Sequence, residues 1–134
     1  TELENTARTA VDAAKSLNCE VGAIVKSLLF KNGDNYFLCL VSGDKRCSLN
    51  KLKKFFNSKD LSMASPNDVK EQTGYTIGGV SPIGHTNRLQ ILVDSSLNRF
   101  EDLFAAAGHP NCIFKINFED LKKITNGTIE DIIE

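Results

Sequence analysis

Residues 23–41, AIVKSLLFKNGDNYFLCLV, decide how the chain folds. Two apolar runs flank KNGDN, and Asn-Gly between such runs is a strong hairpin signal. Residues 23–30 read as the first strand and residues 36–41 as its return. The return run is apolar throughout, which predicts a strand covered on both faces. In the first run, alternation puts Ile24, Lys26, Leu28 and Phe30 on one face, and Val25, Ser27 and Leu29 on the other. Lys26 therefore shares a face with three large apolar residues. An isolated ammonium there is costly, so it either snorkels to solvent or finds an anion.

Outward from the hairpin, periodicity predicts a helix over 6–17 with Ala7, Ala10, Val11, Ala14 and Leu17 on one face. Leu49, Leu52 and Phe56 mark a second helix over 48–57, and LSMA at 61–64 a short strand. Ser65 as cap, Pro66 at the first helical position and Gly74 as terminator bound a third helix. LQILVD at 89–94 reads as a buried strand whose Asp94 caps the next segment. Residues 96–108, SLNRFEDLFAAAG, read as a helix closed by Gly108. NCIFKI at 111–116 is a strand, and 117–125 a final helix capped by Asn117 with Asp120 three residues on. A sheet whose first two strands form a hairpin is not simple βαβ winding. The order predicts an α+β fold, a curled mixed sheet flanked by helices.

The 134 residues suit one domain, 1–134, and 41% hydrophobic with 25% charged residues is ordinary for a globular chain. No apolar run approaches the ~20 residues that span a bilayer. The N-terminal stretch has no charged-then-apolar signal pattern, so a cytoplasmic location is expected. Four cysteines form no C-x-x-C pair, and only His85 and His109 could join them. That predicts reduced thiols, no metal site and no cofactor. The net charge of −1 argues against a generic nucleic-acid coat, yet residues 45–59 hold six basic side chains and no acid. Such asymmetry allows a local anionic partner.

A second stretch carries the chemistry: TIGGVSPIGH, Thr76–His85. A nucleotide P-loop needs Lys-Ser or Lys-Thr after its last glycine, and none follows Gly84. The dinucleotide fingerprint fails on glycine spacing, and a nucleophile elbow fails because Ile83 stands where its closing glycine belongs. What remains is Gly-Gly-x-x-Pro-x-Gly. Glycines let backbone N–H groups approach a ligand, and proline presets them. Preset donors suit a carbonyl oxygen that becomes negative during reaction. A tight strand-to-strand turn would have the same composition.

VGAIVKSLLF at 21–30, VSGDKR at 41–46 and TGYTIGGVSPIGH at 73–85, followed by LQILVDSSL, resemble the YbaK/EbsC-like family. That family includes the editing domain inserted in, or associated with, bacterial prolyl-tRNA synthetases, and the resemblance runs from ARTAVDAA to FEDLKKIT. It implies a mixed sheet approaching a barrel, and hydrolysis in trans of a mischarged tRNA, with tRNA for proline carrying a small non-cognate amino acid as the expected substrate. The family's lysine falls on Lys26, which would hold the phosphate or sugar of the terminal adenosine. Its loop falls on Gly79, Pro82 and Gly84, with Gly78, Val80 and Ser81 beside them, facing the ester carbonyl. The chain departs from some relatives in Ser81 and in His85, which either contacts the acceptor end or is a turn histidine. Asp44 and Arg46 would border the site, and Lys45, Lys51, Lys53 and Lys54 would meet tRNA phosphates or form a solvated face. The implied partners are the mischarged acceptor end and an aminoacyl-tRNA synthetase. An activated ester needs no strong protein nucleophile, which fits a chain without an evident Ser-His-Asp or Cys-His set. Two rivals stay open: a non-catalytic tRNA- or synthetase-binding module, and a hydrolase of other small esters.

Overall fold

In the computed structural model, β1 (Val25–Asn32) and β2 (Asn35–Ser42) form the expected hairpin. Residues 10–76, 80–85, 87–109 and 112–134 are described; Ala7, Gly78 and Gly79, named above, lie outside them. Asn32 pairs with Asn35, so Gly33 and Asp34 form the two-residue tip, with Gly33 at φ 59°. Glycine takes that conformation without Cβ strain. After the hairpin come α2 (Leu49–Phe56), β3 (Leu61–Met63), α3 (Pro66–Thr73) and β4 (Gln90–Asp94). Ser48 caps α2, and Ser65 with Asp68 forms a reciprocal capping box on α3, which Gly74 ends at φ 82°.

The main sheet has the order β3-β1-β2-β4-β7, where β7 is Thr128–Glu130. β1 is antiparallel to β2 and β3, while β2–β4 and β4–β7 run parallel. β2 lies in the middle, and residues Phe37 to Val41 are at most 2% exposed. Burying each such side chain contributes roughly 1.5–3 kcal/mol. One face packs Val25, Leu29, Leu38 and Leu40 against Val80, Leu103 and Leu121. The other packs Phe30, Phe37, Cys39 and Val41 against Leu52 of α2 and Ile132.

Residues 96–108 are not a helix. Ser95–Arg99 make a short 3-10 turn, and Leu103–His109 form β5, antiparallel to β6 (Cys112–Ile116). Leu103 and Ala105 enter the first cluster while Phe104 packs with Ile24 and Ile113 on the other side. That period of two, together with pairing to β6, overrides the helix preference of the alanine run. A single bridge, Ile24 to Phe104, links this hairpin to the start of β1. The five-stranded sheet is not closed into a barrel.

The first described helix, α1 (Ala10–Leu17), turns Ala13 and Ala14 inward, each 3% exposed, and leaves Val11 59% exposed. The expected stripe is thus rotated, because two small residues allow close approach to Ile24 and Ile113. α4 (Phe118–Thr125) carries the Asn117 cap as expected. Asp94 caps Ser96 at 2.9 Å and also accepts from the Ile132 amide at 2.8 Å, tying β4 to the C-terminal segment. Among the described residues no helix is long and apolar enough to cross a membrane.

Candidate functional site

Lys26 enters the sheet at the open end of the first hairpin, opposite Val41. Its half-buried amine donates to the Lys45 carbonyl at 2.5 Å. Burial pulls this amine below the ordinary lysine value; Cys47 and Asp44 push it back up, and Arg46 lowers it again. Lys26 has no ion pair among the described residues. Its positive charge therefore meets a neutral carbonyl dipole and stays free to attract an anion.

Asp44 would be the natural counterion, but Arg99 holds it. The guanidinium reaches both carboxylate oxygens, at 2.8 and 3.3 Å, and its NH2 also donates to Ser42 Oγ at 2.9 Å. Ser42, fully buried, donates its own hydroxyl hydrogen bond to the Gly22 carbonyl. The Arg99 guanidinium lies 4.9 Å from the Phe100 ring centroid. The pairing with Arg99 holds the Asp44 carboxyl below the usual range. Arg99 and Ser42 were not legible as site residues, because Arg99 is far from Asp44 in sequence and only the 3-10 turn after β4 brings it back.

Next to Lys26 the Cys39 and Cys47 thiols meet. Hydrogen bonding from Cys39 holds the Cys47 thiol below its ordinary value against the effect of burial, with help from Lys26 and the Ser48 amide and opposition from Asp94. Cys39, in the sheet centre, is pushed far up by burial.

In the glycine-rich loop, Val80 and Ser81 are 6% and 4% exposed and Pro82 is buried. The Ser81 hydroxyl accepts from the Ile83 amide at 3.4 Å, and the Ser81 carbonyl lies 2.7 Å from His85 Nε2. Burial lowers the His85 pKa, partly offset by that carbonyl. Gly84 has φ 74° and, with Ile83, faces Tyr75, whose phenol donates to the Ile83 carbonyl at 2.8 Å. Pro82 through His85 line a cavity of about 720 Å³ with Arg88, Gln90 and Ile124.

Among the described residues, no hydrogen bond joins Lys26 to Val80–His85. Alternation along β1 sends Lys26 to the face of the second cluster, whereas Val80 packs into the first. Gln90, on the cavity wall, pairs with Phe37, four positions along β2 from the Lys26 partner Val41. At 3.3 Å per residue that separates the two rows by about 13 Å. The lysine and Val80 of the loop thus belong to opposite faces of the sheet.

Arg46 is exposed and Lys45 half-exposed on the turn after β2. Lys51 pairs with Asp131 at 2.9 Å. Lys54 is exposed beside it on α2, while Lys53 lies on the opposite flank of the helix. Among the described residues no group of His, Cys, Asp and Glu is placed to hold a metal ion.

The profile of the aminoacyl-tRNA editing domain matches residues 4–124. The chain belongs to that family. A Bacillus subtilis protein of uncharacterised function, YwhH, is 35% identical over 126 residues, 93% of this chain and 80% of its own length. The proline–tRNA ligase of Fervidobacterium nodosum is 40% identical over 77 residues, which cover 58% of this chain but only 13% of that enzyme. A solved structure described as that of a candidate trans-editing enzyme for prolyl tRNA synthetase superposes with a TM-score of 0.95 at 37% identity, covering all of this chain and 85% of the other.

Proposed function

We propose that this editing-domain chain acts in trans as a deacylase, hydrolysing the ester of mischarged tRNA, with tRNA for proline bearing a small amino acid such as alanine, cysteine or serine as substrate. The observation that carries the reading is the half-buried Lys26 ammonium with a neutral partner, its potential counterion Asp44 being taken by Arg99. Such a charge suits the phosphate of a terminal adenosine, and a charge-assisted bond of this kind contributes about 1.5–3 kcal/mol. The synthetase-linked relatives support the choice of proline tRNA, and translation places the work in the cytoplasm.

In this mechanism water attacks the ester carbonyl, and the neighbouring ribose hydroxyl takes the water's proton while handing its own to the ester oxygen that leaves. The carbonyl electrons move to oxygen, and main-chain N–H groups of the Gly78–Gly84 loop stabilise that oxyanion. The carbonyl re-forms as the ribose oxygen leaves with a proton, giving free amino acid and intact tRNA. Ser81 is not the nucleophile, because its hydroxyl is nearly buried and engaged by Ile83. Its role is to brace the loop.

One observation favours a non-catalytic binding module: Ser81, Ile83 and His85 spend polar groups inside the loop. A panel of mischarged tRNAs and free aminoacyl esters separates the readings. Release of amino acid from tRNA alone supports editing. Salt-sensitive tRNA binding without release supports the module, and turnover of free esters at equal rates supports a general esterase.

A further inference from the structure

We propose that Tyr75 is the positioning residue of the glycine-rich loop, clamping Pro82–His85 against the β5–β6 hairpin. Its place is fixed from behind. The Tyr75 amide donates to Thr73 Oγ1 at 3.0 Å, and Thr73, 1% exposed, donates in turn to the Val69 carbonyl at 2.6 Å in α3. The tyrosine is thereby anchored to a capped helix and leans on the first core cluster.

From that anchor the side chain touches two glycines that are distant in sequence. A Cβ at Gly84 would lie 2.6 Å from the phenol oxygen, and a Cβ at Gly108 would lie 2.9 Å from ring carbon Cε1. Both glycines have positive φ, 74° and 92°. A side chain at either position is therefore disfavoured twice, by backbone conformation and by the ring. The phenol completes the clamp by donating to the Ile83 carbonyl at 2.8 Å, and the ring meets the His85 imidazole edge-on at 6.0 Å between centroids. With His85 bound to Ser81 and Ser81 to Ile83, the bend is held from outside by one aromatic residue and from inside by its own polar groups.

The consequence for catalysis rests on the editing reading. A loop whose donors stabilise an oxyanion must hold them in place before reaction, so loosening the clamp lowers kcat while leaving KM, set by Lys26 and the acceptor end, nearly unchanged. Tyr75→Phe removes only the hydroxyl and keeps the ring between the two glycines. Its expected effect is about a tenfold fall in kcat with KM within about twofold. Leu61→Ala, in the second cluster away from the loop, serves as a control for general destabilisation.

Amide hydrogen exchange tests the clamp without any substrate. Tyr75→Phe is expected to speed exchange of the Ile83 amide, which donates to Ser81 Oγ, about tenfold, with β2 amides unchanged. Unchanged exchange at this amide, or equal acceleration in the Leu61→Ala variant, overturns the clamp. If exchange responds and kcat on mischarged tRNA does not, the clamp stands as structure and its role in positioning is overturned. Absence of turnover by the folded wild type overturns the editing reading instead, while the exchange result still decides the clamp.

Discussion

The Lys26 amine donates to the carbonyl of Lys45 at 2.5 Å, and one residue earlier in that turn Asp44 is held by Arg99 instead of by the lysine. The arrangement keeps a cation and an anion apart at close range. Arg99 acts as a decoy for Asp44, and the charge of Lys26 remains available.

Removing the decoy should therefore damage the site indirectly. Arg99→Ala is expected to release Asp44 toward Lys26 and to lower deacylation about tenfold through KM, since a new pair would compete with phosphate. Adding Asp44→Asn to that variant should restore most of the loss. The Arg99–Asp44 pair is about 40% exposed, so its own contribution to stability is small, about 0.2–1 kcal/mol. Steady-state kinetics on the single and double variants checks this. A double variant no better than Arg99→Ala counts against it.

Cys47 offers a chemical readout of the same corner. Its thiol is held below the ordinary value first by Cys39 and also by Lys26, whereas burial raises Cys19 and Cys39. Iodoacetamide at neutral pH should modify Cys47 before those two, because the thiolate is the reacting form. Lys26→Ala should move the alkylation profile of Cys47 to higher pH. Peptide mapping that finds Cys19 modified first, or a profile indifferent to Lys26, rejects the proximity argument.

Much of this was legible from residues alone. The hairpin, the helix caps at Ser65 and Asn117, and the double-faced burial of β2 all follow from local pattern. The helix expected over 96–108 failed because an alanine run has helical preference only until a partner strand is present, and β6 supplies one. β7 was not legible: three residues on an acid-rich tail carry too little pattern, and its pairing with β4 is purely tertiary. The same holds at the site. Lys26 announces itself by breaking an apolar strand face, but the Arg99–Asp44 pair and the contacts of Tyr75 with Gly84 and Gly108 join segments that no local spacing connects.

His85 sets a pH dependence. Its folded pKa is depressed by burial, so below the ordinary value of 6.5 the unfolded chain takes up the proton more readily than the folded one. Stability is then unaffected by His85 above about pH 7 and falls as pH drops through 6.5 toward the folded value. Denaturant titrations from pH 8 to 5 should show this slope, and His85→Gln should flatten it. An identical slope in the variant would remove His85 as the cause.

The most direct test of the central claim is the rate at which the folded protein releases alanine, cysteine or serine from mischarged proline tRNA, wild type beside Lys26→Ala and Lys26→Arg. The account predicts turnover by the wild type, a loss of about 10- to 100-fold with alanine at position 26, and partial retention with arginine, which keeps the charge. Full activity in Lys26→Ala would contradict the role given to the lysine, and no release by the folded wild type from any of these tRNAs would contradict editing altogether.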